Sequence, residues 1–211
     1  MLTGLEEIVE GLREHFDALD RAREEAYVLS RQVVRAASVV IKHTHRQEFD
    51  AAREQLAEAR ELTHRMLAAL ADAPELRYGG FVHDSEKEYC EAAMVFAALT
   101  GQPLPTPEEL GVYGPAWING LSEVVGELRR HVLDLIRTDR AAEAEEHLKA
   151  MENIYQTILS FDYPNAISQG LRGRSDAARG LVERTRGDLT NALQAGRLER
   201  RMKELEAKIG E

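Results

Sequence analysis

Apolar residues recur at three- and four-residue spacing along almost the whole chain. Leu5, Ile8, Leu12, Phe16 and Leu19 open the pattern, and no proline breaks it before Pro74. The first 46 residues are therefore predicted to form one long helix or two joined end to end. A second helix is expected from about Glu48 to Ala71 on Phe49, Leu56, Leu62, Met66 and Leu70, with Glu54, Glu58 and Glu61 turned outward. A third covers His83 to Thr100 and ends at Gly101. The segment Gln102-Pro103-Leu104-Pro105-Thr106-Pro107 is a rigid extended connection. Thr106 and Glu109 form a capping-box pattern for a short helix that Gly114-Pro115 interrupts.

Beyond it, Trp117, Leu121, Val124, Leu128, Val132 and Leu135 mark the core stripe of a helix from about Ala116 to Arg137. The next helix, about Ala141 to Leu159, should bury Leu148, Met151, Tyr155 and Ile158, before Phe161-Asp162-Tyr163-Pro164 turns the chain. The remainder is helical with a weak point near Gly170 to Arg174, and its last turns align Leu198, Met202, Leu205 and Ile209. No segment shows the two-residue alternation of a strand. The expected fold is all-α, with six or seven helices in one bundle-like domain spanning residues 1–211.

Two acidic groups stand out against this pattern. Glu88 and Glu91 are three apart, so a helix sets them on one face, and Asp84 lies a turn earlier on the same stripe. The stripe then becomes apolar, through the run Ala92-Ala93-Met94-Val95-Phe96-Ala97-Ala98-Leu99. An ionised carboxylate at the mouth of such a run needs a cation, a donor network or a raised pKa, and a metal ion meets that need. The bland alternative is a half-buried helix with both acids solvated. The second group lies on the helix from Ala116, where Ala116, Gly120, Glu123, Glu127 and Arg130 follow at successive turns. Gly120 and Gly126 each cost a helix interior about 1 kcal/mol relative to alanine, which close approach of a backbone or a ligand explains.

Charge patterning adds a third feature. Opposite the valines of the first helix, Arg31, Arg35, Ser38, Lys42, His45 and Arg46 form a stripe suited to phosphates, or else an ordinary face paired with neighbouring acids. The chain as a whole is acidic, with 27 Lys and Arg against 37 Asp and Glu and a formal charge of -10. This argues against a nucleic-acid binder that uses its whole surface, and it is compatible with a local basic one. A single cysteine, Cys90, forms no intrachain disulfide, so a reducing cytoplasm is the expected location. No apolar run approaches the ~18 residues needed to span a bilayer. The start MLTGLEEIVEGLREHF reads as an amphipathic helix rather than a signal peptide.

Glu61-Leu62-Thr63-His64 matches the Glu-x-x-His element that di-iron bundles use twice, but it occurs once. A carboxylate-bridged oxidase is therefore disfavoured, and Glu61 with His64 reads as a surface pair. Long-period repeats, Gly-rich phosphate loops, zinc spacings and serine-nucleophile motifs are not found.

Glu88-Tyr89-Cys90-Glu91-Ala92 resembles the Glu-Tyr-x-Glu-Ala motif of translin-associated factor X (Trax). The segment Trp117 to Arg130, WINGLSEVVGELRR, resembles a later segment of the same family, with Gly120 and Gly126-Glu127-Leu128-x-Arg130 in place. The likeness covers most of the chain, from the basic helix to the Phe161 turn, and the compact form is most like archaeal members. The resemblance to the translin/Trax family implies an all-helical chain that assembles into a hollow octamer and holds RNA or single-stranded DNA on an inner basic surface. Arg31, Arg35, Lys42, His45, Arg46 and Arg130 would supply that surface.

The resemblance also implies a metal-dependent endoribonuclease using Mg²⁺ or Mn²⁺. Glu88 and Glu91 would be ligands, Glu123 would stand where the family carries aspartate, one methylene longer, and Glu127 would assist. A companion translin-like subunit is compatible with the likeness; without one, the chain is both scaffold and enzyme. The competing reading is a translin-like nucleic-acid-binding oligomer in which the acids only brace helices.

Overall fold

A computed structural model describes residues 3–209 as helices and short connections, with no strand among them. The predicted start of the first helix includes Met1 and Leu2, which lie outside the described residues. Six long helices account for most of the chain: α1 (Leu5–His45), α2 (Phe49–Ala69), α3 (Gly80–Thr100), α5 (Gly114–Arg137), α6 (Ala144–Leu159) and α8 (Leu171–Ile209). Two single-turn helices, α4 (Pro107–Leu110) and α7 (Asn165–Ser168), bring the described total to eight. None of the helices is long and apolar enough to cross a membrane.

The chain divides into two compact units, with the boundary between Gly120 and Leu121, inside α5. In the first unit α3 is the most enclosed element. Its apolar run is buried from Ala92 to Ala97, and Phe96 with Ala92 packs on Ala37 and Val40 of α1 and Ala52 of α2. Fully burying side chains as large as Phe96 and Val40 contributes about 1.5–3 kcal/mol each to this three-helix contact. Gly101 ends α3 with a φ of +69°, a conformation that costs an L-residue but not glycine. The Thr106–Glu109 capping box forms as expected, its two hydrogen bonds measuring 2.8 and 3.2 Å. Pro115 sits in the first turn of α5, where a missing N–H costs no hydrogen bond, so the helix starts at Gly114 rather than Ala116. Trp117 is half-buried and its indole N–H donates to the Pro105 carbonyl at 2.8 Å.

α1 is a single helix, and only its second half has a buried face. Leu5, Ile8, Leu12 and Phe16 are exposed, whereas Ala26, Leu29, Val33, Ala37 and Val40 are buried. In the second unit, α6 and α8 pack together, with Met151 and Ile158 of α6 and Val182 and Leu189 of α8 fully or almost fully enclosed. Leu148 and Tyr155 are only half-buried. On α5, Leu121, Val124, Leu128, Val132 and Leu135 are buried as the periodicity requires. The expected weak point becomes a break: Gln169 and Gly170 both have positive φ, and α8 starts at Leu171. Leu198, Met202, Leu205 and Ile209 share a stripe on α8, and all four are exposed.

Candidate functional site

The first unit builds its acidic group on α3. Glu91 is buried and Glu88 is half-buried. Each offers a carboxylate oxygen within 4.8 Å of the other. Lys87, itself buried, donates to Glu88 at 2.8 Å. A lysine at this depth keeps its charge only with an anion beside it, so the two form an ion pair rather than two solvated groups.

Two residues before Glu88 lies a group that the sequence pattern did not single out. Glu86 is fully enclosed and accepts two hydrogen bonds from the Arg77 guanidinium, at 2.7 and 3.0 Å, and one from the Tyr113 backbone N–H at 3.3 Å. Every one of these donors serves a structural charge, and the residue braces the start of α3.

Gly120 explains how α5 reaches this face. A methyl at Gly120 would lie 2.7 Å from the Cys90 Cβ, 2.9 Å from the Lys87 carbonyl oxygen and 3.1 Å from the Glu91 nitrogen. Only a residue without a side chain lets the two backbones meet there. The contact is centred on the same turn of α3 that carries Glu88 and Glu91. α5 continues unbroken past Gly120, so helical geometry sets Glu123 three residues on along the same line. In the second unit, Glu123 accepts a hydrogen bond from Arg174 of α8 at 2.7 Å. Glu127 and Arg130 form an ordinary i,i+3 pair at 3.6 Å, with Arg130 exposed. Arg174, the partner of Glu123, was not among the predicted site residues.

The basic stripe of α1 forms as predicted. Arg31, Arg35, Ser38, Lys42 and Arg46 are exposed beside its buried face, and His45 is half-buried. No ion pair joins Arg31, Arg35, Lys42 or Arg46 to a carboxylate of the described residues. Arg31 and Arg35 line a groove of about 460 Å³ together with Phe81, Asp84 and Ser85 of α3. Asp84, in the lining of this groove, is one helical turn before Glu88 on α3. Glu61 and His64 are both exposed on α2, as expected for a surface pair.

Burial also sets the chemistry of the two residues between the acids. The Tyr89 hydroxyl is pushed up to about 12, first by burial, and burial pushes the Cys90 thiol up as well. Both are therefore neutral at physiological pH. Neither is a nucleophile, and the chemistry of this face rests on its carboxylates.

No family model matches the sequence. An uncharacterised protein of Methanocaldococcus jannaschii is 32% identical over 189 residues, covering 89% of this chain and 83% of that protein. Among solved structures, AfC3PO in complex with duplex RNA superposes with a TM-score of 0.82 at 31% identity, over 89% of this chain and 97% of that one. AfC3PO in a second structure gives a TM-score of 0.81 at 32% identity, with the same coverage. NeC3PO shares the fold, with a TM-score of 0.79 at 19% identity over 91% of this chain and 98% of that one. Identity at this level across nearly the full length of both chains, on one all-helical fold, shows that the chain belongs to the translin/Trax family of C3PO proteins.

Proposed function

We propose that this chain binds RNA along the basic face of α1 and cleaves it at a divalent-cation site made by Glu88, Glu91 and Glu123. The observation that carries the reading is the pairing of Glu88 and Glu91, one half-buried and one buried, on the turn of α3 that Gly120 brings against α5. Carboxylate oxygens are hard ligands suited to Mg²⁺ or Mn²⁺, which retain waters and bind phosphate oxygens. Such an ion, when bound, supplies a nucleophile from water and stabilises charge on the phosphate. The chain's own residues do the rest. Glu88, Glu91 and Glu123 would hold the ion, while Arg31, Arg35 and Lys42 hold backbone phosphates without reading sequence. Duplex RNA bound by AfC3PO supports RNA as the ligand class.

Association into a closed homo-oligomer is part of the proposal. The exposed stripes Leu5-Ile8-Leu12-Phe16 and Leu198-Met202-Leu205-Ile209 are apolar faces that further copies would cover. Eight 23.7 kDa chains would give about 190 kDa. A closed shell also reconciles a charge of -10 with a polyanionic ligand, by segregating the basic face of α1 inward.

One observation favours a second reading. Lys87 already neutralises Glu88, and Arg174 neutralises Glu123, as braces in a non-catalytic RNA-binding oligomer would. Incubation of the pure protein with labelled single-stranded RNA, with Mg²⁺ or with chelator, separates the two. The proposal expects cleavage with Mg²⁺ that chelator abolishes and that Glu91→Gln removes while RNA binding persists. Binding with no cleavage at any Mg²⁺ or Mn²⁺ concentration establishes the non-catalytic reading instead.

A further inference from the structure

Lys42, Lys149, Lys203 and Lys208 are exposed, as lysines ordinarily are, whereas Lys87 is buried. Its side chain keeps 7% exposure, and its ammonium donates at 2.8 Å to Glu88, whose side chain keeps 29%. Successive residues on a helix point about 100° apart, so this bond forms because the four-carbon stem bends round to the neighbouring carboxylate. Lys87 also stands one turn before Glu91 on the same face of α3. The contrast with Glu86 on the same helix is chemical. Glu86 is gripped by the planar fork of Arg77, which fixes a carboxylate in place, and Glu88 is held by the tip of a flexible side chain, which can let it go.

We propose that Lys87 is a positioning residue for the carboxylate face of α3: its ammonium holds Glu88 in the ion-free protein and competes with a divalent cation for it, so that Lys87 sets how tightly the cation binds. The inference rests on the reading of Glu88 and Glu91 as cation ligands. Without Lys87, two carboxylates on one face, one of them buried, would repel each other and lose a counter-charge. With it, the face is kept assembled and part-neutralised. A divalent ion arriving beside the ammonium meets a like charge where little water screens it, so the ammonium must withdraw or the ion binds weakly. In either case the lysine charge opposes the ion. A lysine whose role is only to brace the helix acts in the other direction, because its loss would loosen Glu88 and weaken any ion held there. The sign of the change therefore separates the two roles.

Mn²⁺ binding to the RNA-free protein, followed by the electron paramagnetic resonance of the free ion, tests this without any cleavage assay. Lys87→Met keeps the stem and removes the charge, and it should bind Mn²⁺ about tenfold more tightly than the wild type, or more. Lys87→Arg keeps the charge and should stay close to wild type. Lys87→Gln, which can still donate to Glu88 but is neutral, should follow Lys87→Met and replaces it if the methionine variant does not fold. Saturating Mn²⁺ should also raise the melting temperature of the neutral variants more than that of the wild type. Mn²⁺ bound by the wild type and bound equally or more weakly by the neutral variants overturns the role of Lys87 and leaves the carboxylate site standing, as does Lys87→Arg binding as tightly as Lys87→Met. No Mn²⁺ bound by the wild type or by any variant overturns the cation site itself, and this inference with it.

Discussion

Glu86 and Arg77 form a bidentate ion pair whose acidic side chain is only 1% exposed while the basic one keeps 24% exposure. Removing the charge from the enclosed partner should be costly. Glu86→Gln leaves the guanidinium with a weaker acceptor and one amide group with no acceptor in reach, a change expected to lower stability by roughly 3 kcal/mol, the low end for a broken buried pair. Urea unfolding measures it directly. A Glu86→Leu, Arg77→Met double variant should recover most of the loss, and wild-type stability in Glu86→Gln alone would show that the pair is not a brace.

Gly120 and Gly126 lie on one helix and should respond oppositely to alanine. At Gly120 the new methyl meets two backbone atoms that cannot rotate away, at 2.9 and 3.1 Å. Overpacking of this kind costs about 1–3 kcal/mol, against roughly 1 kcal/mol gained in helix propensity, so Gly120→Ala should destabilise by about 1 kcal/mol or more. At Gly126 the nearest atom is the Leu181 Cδ1 at 3.9 Å, an ordinary contact. Gly126→Ala should leave stability unchanged or raise it by up to about 1 kcal/mol. Thermal melts of the two variants side by side test the difference, and identical shifts would contradict it.

Tyr89 and Cys90 report on the integrity of α3 from within. The folded Tyr89 hydroxyl holds its proton to about 12, above its ordinary value of 10.0. The folded state therefore binds more protons than the unfolded state between those values, so this group's contribution to stability is constant below pH 10 and falls as pH rises from 10 through 12. Unfolding midpoints across that range, with tyrosinate absorbance as the second probe, should show the decline. The Cys90 thiol, raised by burial, should react with a disulfide reagent only when the chain unfolds in urea. Rapid labelling of the native protein would refute the burial.

Charge reversal on α1 separates electrostatic binding from assembly. Arg31→Glu with Arg35→Glu should weaken RNA binding across all sequences alike and make log affinity less steeply dependent on log salt, by about 0.7–0.9 for each phosphate no longer neutralised. Filter binding at several salt concentrations gives both quantities. An unchanged slope would remove this face from the interface.

The helices were legible because each carries a 3.6-residue apolar period and ends at chemistry that ends helices. Gly101, the Thr106–Glu109 box and the Gly170 break were all readable as punctuation. The paired placement of Glu88 and Glu91 followed from spacing alone. What periodicity could not supply was partners distant in sequence. Glu86 sits two residues before Glu88 and looks equally solvated in the sequence; its burial depends on Arg77, nine residues back, and on the Tyr113 N–H, 27 residues on. Arg174 reaches Glu123 from 51 residues away. Likewise Leu5, Ile8, Leu12 and Phe16 carry the same period as the buried stripes, yet they are exposed. Amphipathicity says that a face seeks cover and does not say who covers it.

That last contrast makes α1 a helix with two stabilities. Its residues from Ala26 onward are locked by α2 and α3, while the turns that follow Leu5 are held by their own backbone hydrogen bonds, and an isolated helical stretch of that kind is marginal in water. In a lone chain, amide hydrogens in the turns from Ile8 to Leu19 should exchange with solvent orders of magnitude faster than those from Leu29 to Thr44, because the first half can fray without disturbing the second. Association that covers the Leu5–Phe16 stripe should erase the gradient. Deuterium uptake along this single helix, followed as protein concentration rises, would then act as a gauge of whether each copy is alone or assembled.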